Sequence, residues 1–298
     1  MDLLSAALPT PLLELSNAVT QKAGIRLFIK RDDLIHPTVS GNKWRKLKYN
    51  LVEAQCHQNR HILTFGGAFS NHLYAVAAAG NVLGLNTTGI VRGEESSKNP
   101  SPTLKFCLEQ GMQLHFVSRS EYRRRNDDDY RHELAATYAH PFIIPEGGTS
   151  AFALKGVAEM IPEVDAQLGY RPDYFAVAAG TGGTAAGLLS AGANVLGFSA
   201  LKGGGFLVQD IAKLLEGQHS TGSLQLFTEY HFGGYAKWNE SLLAFMIGFR
   251  EEFGIQLEQV YTAKMFYGLF DLISKNHFQR GQTIVAVHTG GLQGLLRA

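Results

Sequence analysis

Apolar and polar positions follow two periods along this chain, and the two take turns. Short apolar runs with strand character occupy residues 26–30 (RLFIK), 61–65 (HILTF), 87–91, 113–117, 141–145, 173–179 (DYFAVAA), 195–199 and 283–288 (TIVAVH). Between them the apolar residues recur three and four apart, the spacing of one helix face. From Lys43 onward Trp44, Leu47, Leu51 and Ala54 share such a face, which should leave Lys46 and Lys48 toward solvent. Residues 73–83 read as a small-residue helix buried on most sides, and 103–110 as another. A helix over 239–252 should bury Leu242, Leu243, Phe245, Met246 and Phe249. Strands alternating with helices predict an α/β fold with mostly parallel sheets flanked by helices. The mixed charges of 119–131 (RSEYRRRNDDDYR) read as a solvated connector or helix face.

Length and composition narrow this further. At 298 residues the chain suits about two domains. With 45% hydrophobic and 18% charged residues it has ample material for a core. The 27 Lys and Arg nearly balance 26 Asp and Glu, which argues against a nucleic-acid-coating protein. Glycine is in excess, 33 residues, and is expected where backbone turns sharply or approaches a ligand. Cys56 and Cys107 form no disulfide framework and lack metal-ligand spacing, so both are expected to be small buried hydrophobes and no metal is expected. Asp2, Pro9 and Pro11 break any leader-like pattern, and apolar runs such as 242–249 are far shorter than the roughly 20 residues of a membrane span. A cytoplasmic protein without membrane contact is the expectation.

Three segments carry chemistry. In the first, an apolar strand runs into Gly180, Thr181, Gly182, Gly183 and Thr184, then into a helical segment. A glycine loop feeding a helix start offers backbone N–H groups and a positive dipole end to an anion; the alternative is a plain tight turn. The loop also satisfies G-x-G-x-x-A through Gly180, Gly182 and Ala185, which admits a dinucleotide-dependent oxidoreductase. That reading lacks the acidic residue about 20 positions on, although Lys202 lies where a 2′-phosphate would be met. No nucleoside-triphosphate loop is present. The second segment places Lys43 at a helix start, where the dipole should depress the amine and leave it able to attack a carbonyl; a surface lysine is the other reading. In the third, Gly66, Gly67, Ala68, Phe69, Ser70, Asn71 and His72 pass from strand to helix. Ser70 and Asn71 could clasp a carboxylate, or Ser70 could be an ordinary helix cap.

Taken in order, PTPLLEL (9–15), KRDD (30–33), GNKWRKL (41–47), GGAFSNH (66–72), GTGGT (180–184), VYTAK (260–264) and HTGG (288–291) are similar to pyridoxal-phosphate enzymes of the tryptophan-synthase-β type. Within these the chain resembles the D-cysteine desulfhydrase and 1-aminocyclopropane-1-carboxylate deaminase family. The resemblance implies a two-domain fold of type II, with a large domain of 1–43 plus 148–298 and a small domain of 44–147. It implies pyridoxal 5′-phosphate bonded to Lys43, which also moves the substrate proton. The phosphate would rest on Gly180, Thr181, Gly182, Gly183 and Thr184, with Asn42 near the ring oxygen and Thr289 at the pyridine nitrogen. Ser70, Asn71, His72, Tyr235 and Tyr261 would bind a small amino acid, Ser70 and Tyr261 also taking part in catalysis. Enzymes of this fold are usually homodimers.

A hydroxyl at the pyridine nitrogen makes a weaker electron sink than a carboxylate would enforce, which favours prompt loss of a β-substituent. The resembling deaminases carry glutamate after the tyrosine where this chain has Thr262, and the desulfhydrases carry threonine. The expected reaction is therefore α,β-elimination from D-cysteine to pyruvate, sulfide and ammonia. 1-Aminocyclopropane-1-carboxylate deamination and lyase or racemase action on another D-amino acid are the alternatives. This chain also departs from the pattern. Phe69 replaces a usual glutamine, Gly-Tyr-Ala replaces Gly-Tyr-Gly at 234–236, and Gly203, Gly204 and Gly205 read as a flexible loop.

Overall fold

Strand and helix alternate as the pattern requires in the computed structural model, which describes residues 4–295; Asp2 lies outside them. Among the described residues ten strands form: β1 (Leu12–Glu14), β2 (Arg26–Lys30), β3 (His61–Gly67), β4 (Asn86–Arg92), β5 (Gln113–Val117), β6 (Phe142–Ile144), β7 (Tyr174–Ala179), β8 (Val195–Ser199), β9 (Leu224–Phe227) and β10 (Thr283–Val287). They make two sheets, each within its own compact unit.

The first unit holds His36–Gly156 with the short segment ending at Ala6. Its sheet runs in the order β5-β4-β3-β6, all parallel. Leu63, Phe65, Ile90 and Val117 build its core with Tyr122, Tyr130 and Leu134. The last three come from the helices Arg119–Tyr122 and Asp128–Thr137, so the charged 119–131 stretch is no mere solvated connector. Its two tyrosines anchor it while most of its charges face outward, as the helix-face reading has it. After β3 the chain places β4 and β5 on one side and β6 on the other. Such a reversal opens a crevice beyond the carboxyl ends of the diverging strands. In this unit that place is the exit of β3 and the turn after β6.

The second unit holds Ala7–Ile35 and the chain from Val157 onward. Its sheet runs β1-β2-β10-β7-β8-β9, parallel except for β1. Ile29, Ala176, Phe198, Phe266, Leu269 and Ala286 lie in its core. Here the order reverses between β7, which continues to β8 and β9, and β10 on its other side. The 180–184 loop leaves the end of β7, and His288 and Thr289 leave the end of β10.

The units divide at 35/36 and 156/157, not at the expected 43/44 and 147/148. The first expected boundary would cut the Asn42–Cys56 helix, and the second would cut the Glu146–Gly148 turn that binds back to that helix. Two smaller expectations are also corrected. Cys107 is buried but Cys56, near the end of its helix, is exposed. Gly203, Gly204 and Gly205 are no loose loop: Gly204–Phe206 form a turn opening the Leu207–Leu214 helix, and a Cβ on Gly204 would lie 2.0 Å from Ser199 Oγ. No helix among the described residues is long and apolar enough to cross a membrane.

Candidate active site

At the reversal of the first sheet, the residues after β3 turn directly into the Asn71–Leu83 helix. Ser70 caps it, its oxygen accepting the Leu73 N–H at 3.2 Å, so the ordinary cap reading of Ser70 is realised. Gly66 admits this turn because a Cβ there would lie 2.5 Å from Ser70 Oγ. Asn71 opens the helix, while Phe69 stands 62% exposed just before the cap.

His72 points inward and is buried. Thr64 Oγ1 donates to the Ile144 carbonyl at 2.7 Å and lies 2.8 Å from His72 Nε2. The hydroxyl has one hydrogen, already given to Ile144, so Nε2 must be the donor to Thr64. That leaves Nδ1 as a bare acceptor, buried and without a hydrogen-bond partner. Burial and the nearby Lys43 and Lys46 amines hold the ring's pKa well below its ordinary value, so it is neutral.

Lys43 is the second residue of the Asn42–Cys56 helix, and Asn42 the first. Its Nζ donates to the Gly147 carbonyl at 3.3 Å. Burial draws its pKa down to about 8, while the Glu146 carboxylate opposes that fall. Burial is thus the cause, where the sequence suggested the helix dipole. Lys46 overturns its expected place toward solvent. It is 2% exposed, its Nζ donating to the same Gly147 carbonyl and to Thr149 Oγ1, each at 3.3 Å. One turn after Lys43, it lies beside the helix's apolar stripe and follows Lys43 inward. Lys48 does remain partly exposed, its Nζ 5.6 Å from the Trp44 ring.

Residues that the sequence did not mark support this arrangement. Tyr122 Oη donates to Glu146 Oε1 at 2.7 Å and Arg125 Nε to Oε2 at 2.6 Å. The charged 119–131 stretch therefore holds the carboxylate that faces Lys43. Two tyrosines among its charges were the available signal.

In the second unit, Gly182 caps the Gly183–Ser190 helix at φ +75° with no side-chain cap. A Cβ on Gly182 would lie 2.6 Å from Ile211, and one on Gly180 would lie 3.0 Å from the Tyr261 ring. Gly182 thus sits where only glycine fits and Gly180 is tightly packed, with Thr184 buried and Thr181 half-buried. Unmet N–H groups of a helix's first turn favour an anion.

Tyr261 precedes the Thr262–Ser274 helix, and its ring lies 6.0 Å from Tyr235 in an edge-on contact. Buried Glu258 accepts the N–H groups of Val260, Tyr261 and Thr262 at 2.6–2.7 Å. Burial raises this carboxyl to about 6 against those bonds. Thr262 Oγ1 in turn accepts the Glu258 N–H at 3.0 Å, a reciprocal cap. At the end of β10, His288 Nε2 donates to the Gln256 carbonyl at 2.8 Å and Nδ1 accepts the Gly290 N–H at 3.2 Å, which fixes the backbone on both sides of Thr289.

The structure thus gathers Lys43 and His72 around the Glu146–Gly148 turn, with Ser70 and Asn71 at the exit of β3. It separately gathers Gly180, Tyr261 and Tyr235, with Thr289 at the end of β10. No group of three His, Cys, Asp or Glu among the described residues could hold a metal ion.

A glycine loop feeding a helix start in one unit and a half-buried lysine amine of lowered basicity in the other are what this α/β fold offers for the chemistry of a phosphorylated carbonyl compound. The family model for pyridoxal-phosphate dependent enzymes matches residues 3–290. The chain is 32% identical to the bifunctional D-cysteine desulfhydrase/1-aminocyclopropane-1-carboxylate deaminase, mitochondrial, of Arabidopsis thaliana, over 97% of this chain and 78% of that protein. It is 29% identical to a D-cysteine desulfhydrase of Klebsiella pneumoniae (strain 342), over 99% and 94%. Among solved structures, that of an ACC deaminase homologue superposes with a TM-score of 0.81 at 28% identity, covering 98% of this chain and 92% of that one.

This chain belongs to the pyridoxal-phosphate dependent enzymes, with the type II fold. It is a lyase of that family and its cofactor is pyridoxal 5′-phosphate. The residues present fit that group: the glycine loop suits its phosphate, the Lys43 amine its aldehyde, and the orphan His72 Nδ1 offers a buried acceptor. Membership sets aside the dinucleotide reading of the loop.

Proposed function

We propose that this enzyme catalyses α,β-elimination from D-cysteine, giving pyruvate, hydrogen sulfide and ammonia with uptake of one water. The observation that carries the reading is the half-buried Lys43 amine, its basicity lowered to about 8, in a chain of this family. The two compact units serve as the two domains of the fold. Bound pyridoxal phosphate supplies an aldehyde that takes up the substrate amine and a ring that accepts the electrons left when the α-proton departs.

The chain's own residues do the rest. The amides and hydroxyls of Gly180, Thr181, Gly182, Gly183 and Thr184 would hold the phosphate, Asn42 would orient the ring oxygen, and Thr289 would serve the pyridine nitrogen without enforcing its protonation. Lys43 Nζ would anchor the cofactor and would be the base that takes the proton from the substrate's α-carbon. Ser70 and Asn71, with the backbone amide of His72 rather than its ring, would bind the substrate carboxylate at the start of the Asn71–Leu83 helix, against the positive end of its dipole. Tyr261 hands a proton to the departing sulfur, with Tyr235 edge-on beside it.

Thr262 favours elimination over cyclopropane opening. It is fully buried and its hydroxyl is engaged with the Glu258 backbone, so this position presents no carboxylate beside Tyr261. We place the enzyme in the cytoplasm as a homodimer, which sedimentation of the purified protein would test.

The purified enzyme should absorb near 410–430 nm, about where imines of this cofactor lie, and the band should shift on adding D-cysteine as sulfide and pyruvate appear. Lys43→Ala should lose both band and turnover; a variant keeping both removes the assignment. A band indifferent to D-cysteine that responds to 1-aminocyclopropane-1-carboxylate with ammonia release would replace elimination by deamination.

A further inference from the structure

Residues 232–236, ahead of the Glu240–Phe253 helix, hold four backbone positions in the left-handed region: Phe232 (φ +51°), Gly233 (+93°), Gly234 (+115°) and Ala236 (+53°). Two of the four carry side chains, for which that conformation is disfavoured. Such a segment persists only where its surroundings over-determine it. Within the loop, Gly234 N–H donates to the His231 carbonyl at 3.0 Å and Lys237 N–H to the Gly234 carbonyl at 3.1 Å. Phe232 packs edge-on against Tyr267, 4.9 Å between centroids.

One further bond reaches in from outside. Lys264, the third residue of the Thr262–Ser274 helix and 1% exposed, donates from Nζ to the Gly234 carbonyl at 2.8 Å and to the Ala200 carbonyl, just past β8, at 3.5 Å. Burial lowers its pKa to about 8, while the Glu258 carboxylate opposes that fall. An apolar chain would fill this space without the desolvation a buried amine suffers. The amine instead ends on the carbonyl one residue before Tyr235. Its helix begins directly after Tyr261, whose N–H is fixed by Glu258.

We propose that Lys264 is a positioning residue that clamps the strained 232–236 loop through the Gly234 carbonyl and so keeps Tyr235 edge-on to Tyr261. The inference rests on the reading of both tyrosines as part of the substrate site. It also explains what Ala236 changes. A glycine there, as in resembling sequences, adopts positive φ freely, whereas alanine makes the loop lean more on its clamp.

The test uses holoenzyme of the parent, Lys264→Met, Ala236→Gly and the double variant. It reads amide hydrogen exchange at 231–237, kcat and KM for D-cysteine, and the cofactor absorbance. Losing one charged hydrogen bond should speed exchange in this loop about tenfold and lower kcat by a similar factor, with the cofactor band unmoved. Ala236→Gly should restore much of both in the double variant, a rescue that a lysine serving only general stability would not show. Exchange unchanged by Lys264→Met overturns the clamp and leaves the tyrosine reading standing. Faster exchange with unchanged kcat overturns the positioning role by removing Tyr235 from the reaction. Should the methionine variant not fold, Lys264→Leu, which also removes the donor, takes its place under the same criteria.

Discussion

At the scale of single residues, the role proposed for Lys43 makes its lowered pKa a testable quantity. An ordinary lysine, near 10.4, is neutral in only about one molecule in 2,500 at pH 7, whereas one at about 8 is neutral in roughly one in ten. Apoenzyme given pyridoxal phosphate should therefore form its imine band faster as pH rises, about tenfold per unit, and level off above pH 8. Stopped-flow absorbance reads this directly, and a rate still climbing at pH 10 would contradict it. Stability follows with a definite sign. Between 8 and 10.5 the folded form holds fewer protons at this site than the unfolded chain, so the contribution is present above 10.5 and lost as pH falls through 8. Residue-level reading of the sequence singled out Lys43 but not the groups around it. Lys46 was misplaced because a helical period ranks positions by apolar neighbours, and an amine drawn inward beside a stripe leaves no mark in that period. His72 was visible only as part of a motif, since its orphan nitrogen depends on where Thr64 and Ile144 meet.

At the scale of elements, the sequence located strands better than it located what holds them. Residues 113–117 and 195–199 are strands with the expected bounds, and the Lys43 helix buries its four predicted apolar residues. The Thr262–Ser274 helix escaped notice because VYTAK reads as a site motif, while Glu258, whose carboxylate takes the N–H groups at the helix start, lies two residues ahead of it. Glycine meaning was legible only in part. Gly156 sits in the Ala151–Ala158 helix, where a Cβ would lie 2.0 Å from the Arg45 carbonyl oxygen, so two helix backbones approach within reach of no side chain. Gly156→Ala must push the Asn42–Cys56 helix aside and should lower stability by about 3 kcal/mol or more, with weaker cofactor retention. Gly205→Ala, which meets nothing within 4 Å, should stay within about 0.5 kcal/mol of the parent. Denaturant melts of the two, alongside cofactor absorbance, separate backbone packing from a general dislike of alanine.

At the scale of the whole molecule, the second unit is assembled from two stretches of chain separated by the whole of 36–156. Lys30 is a main stitch between them: buried, it donates to the Thr10 carbonyl at 2.7 Å, to Glu163 Oε1 at 2.5 Å and to Gln167 Oε1 at 2.7 Å. Thr10 N–H also reaches Glu163, and Thr10 Oγ1 donates to Asp32. The PTPLLEL and KRDD motifs thus meet as a seam, a role that their spacing could not reveal. Lys30→Met leaves Glu163 without its cation and should lower stability by about 3 kcal/mol, seen as earlier thermal unfolding and faster cleavage within residues 7–35. The order of strands carries one more consequence. β10, made after the nine other described strands, is not an edge: it slots between β2 and β7 and pairs with both. Throughout synthesis those two strands wait with open, apolar flanks, and a message cut short before residue 283 yields a polypeptide with a gap in mid-sheet. Such a product should be claimed by chaperones or proteases rather than accumulate as a slightly shorter enzyme.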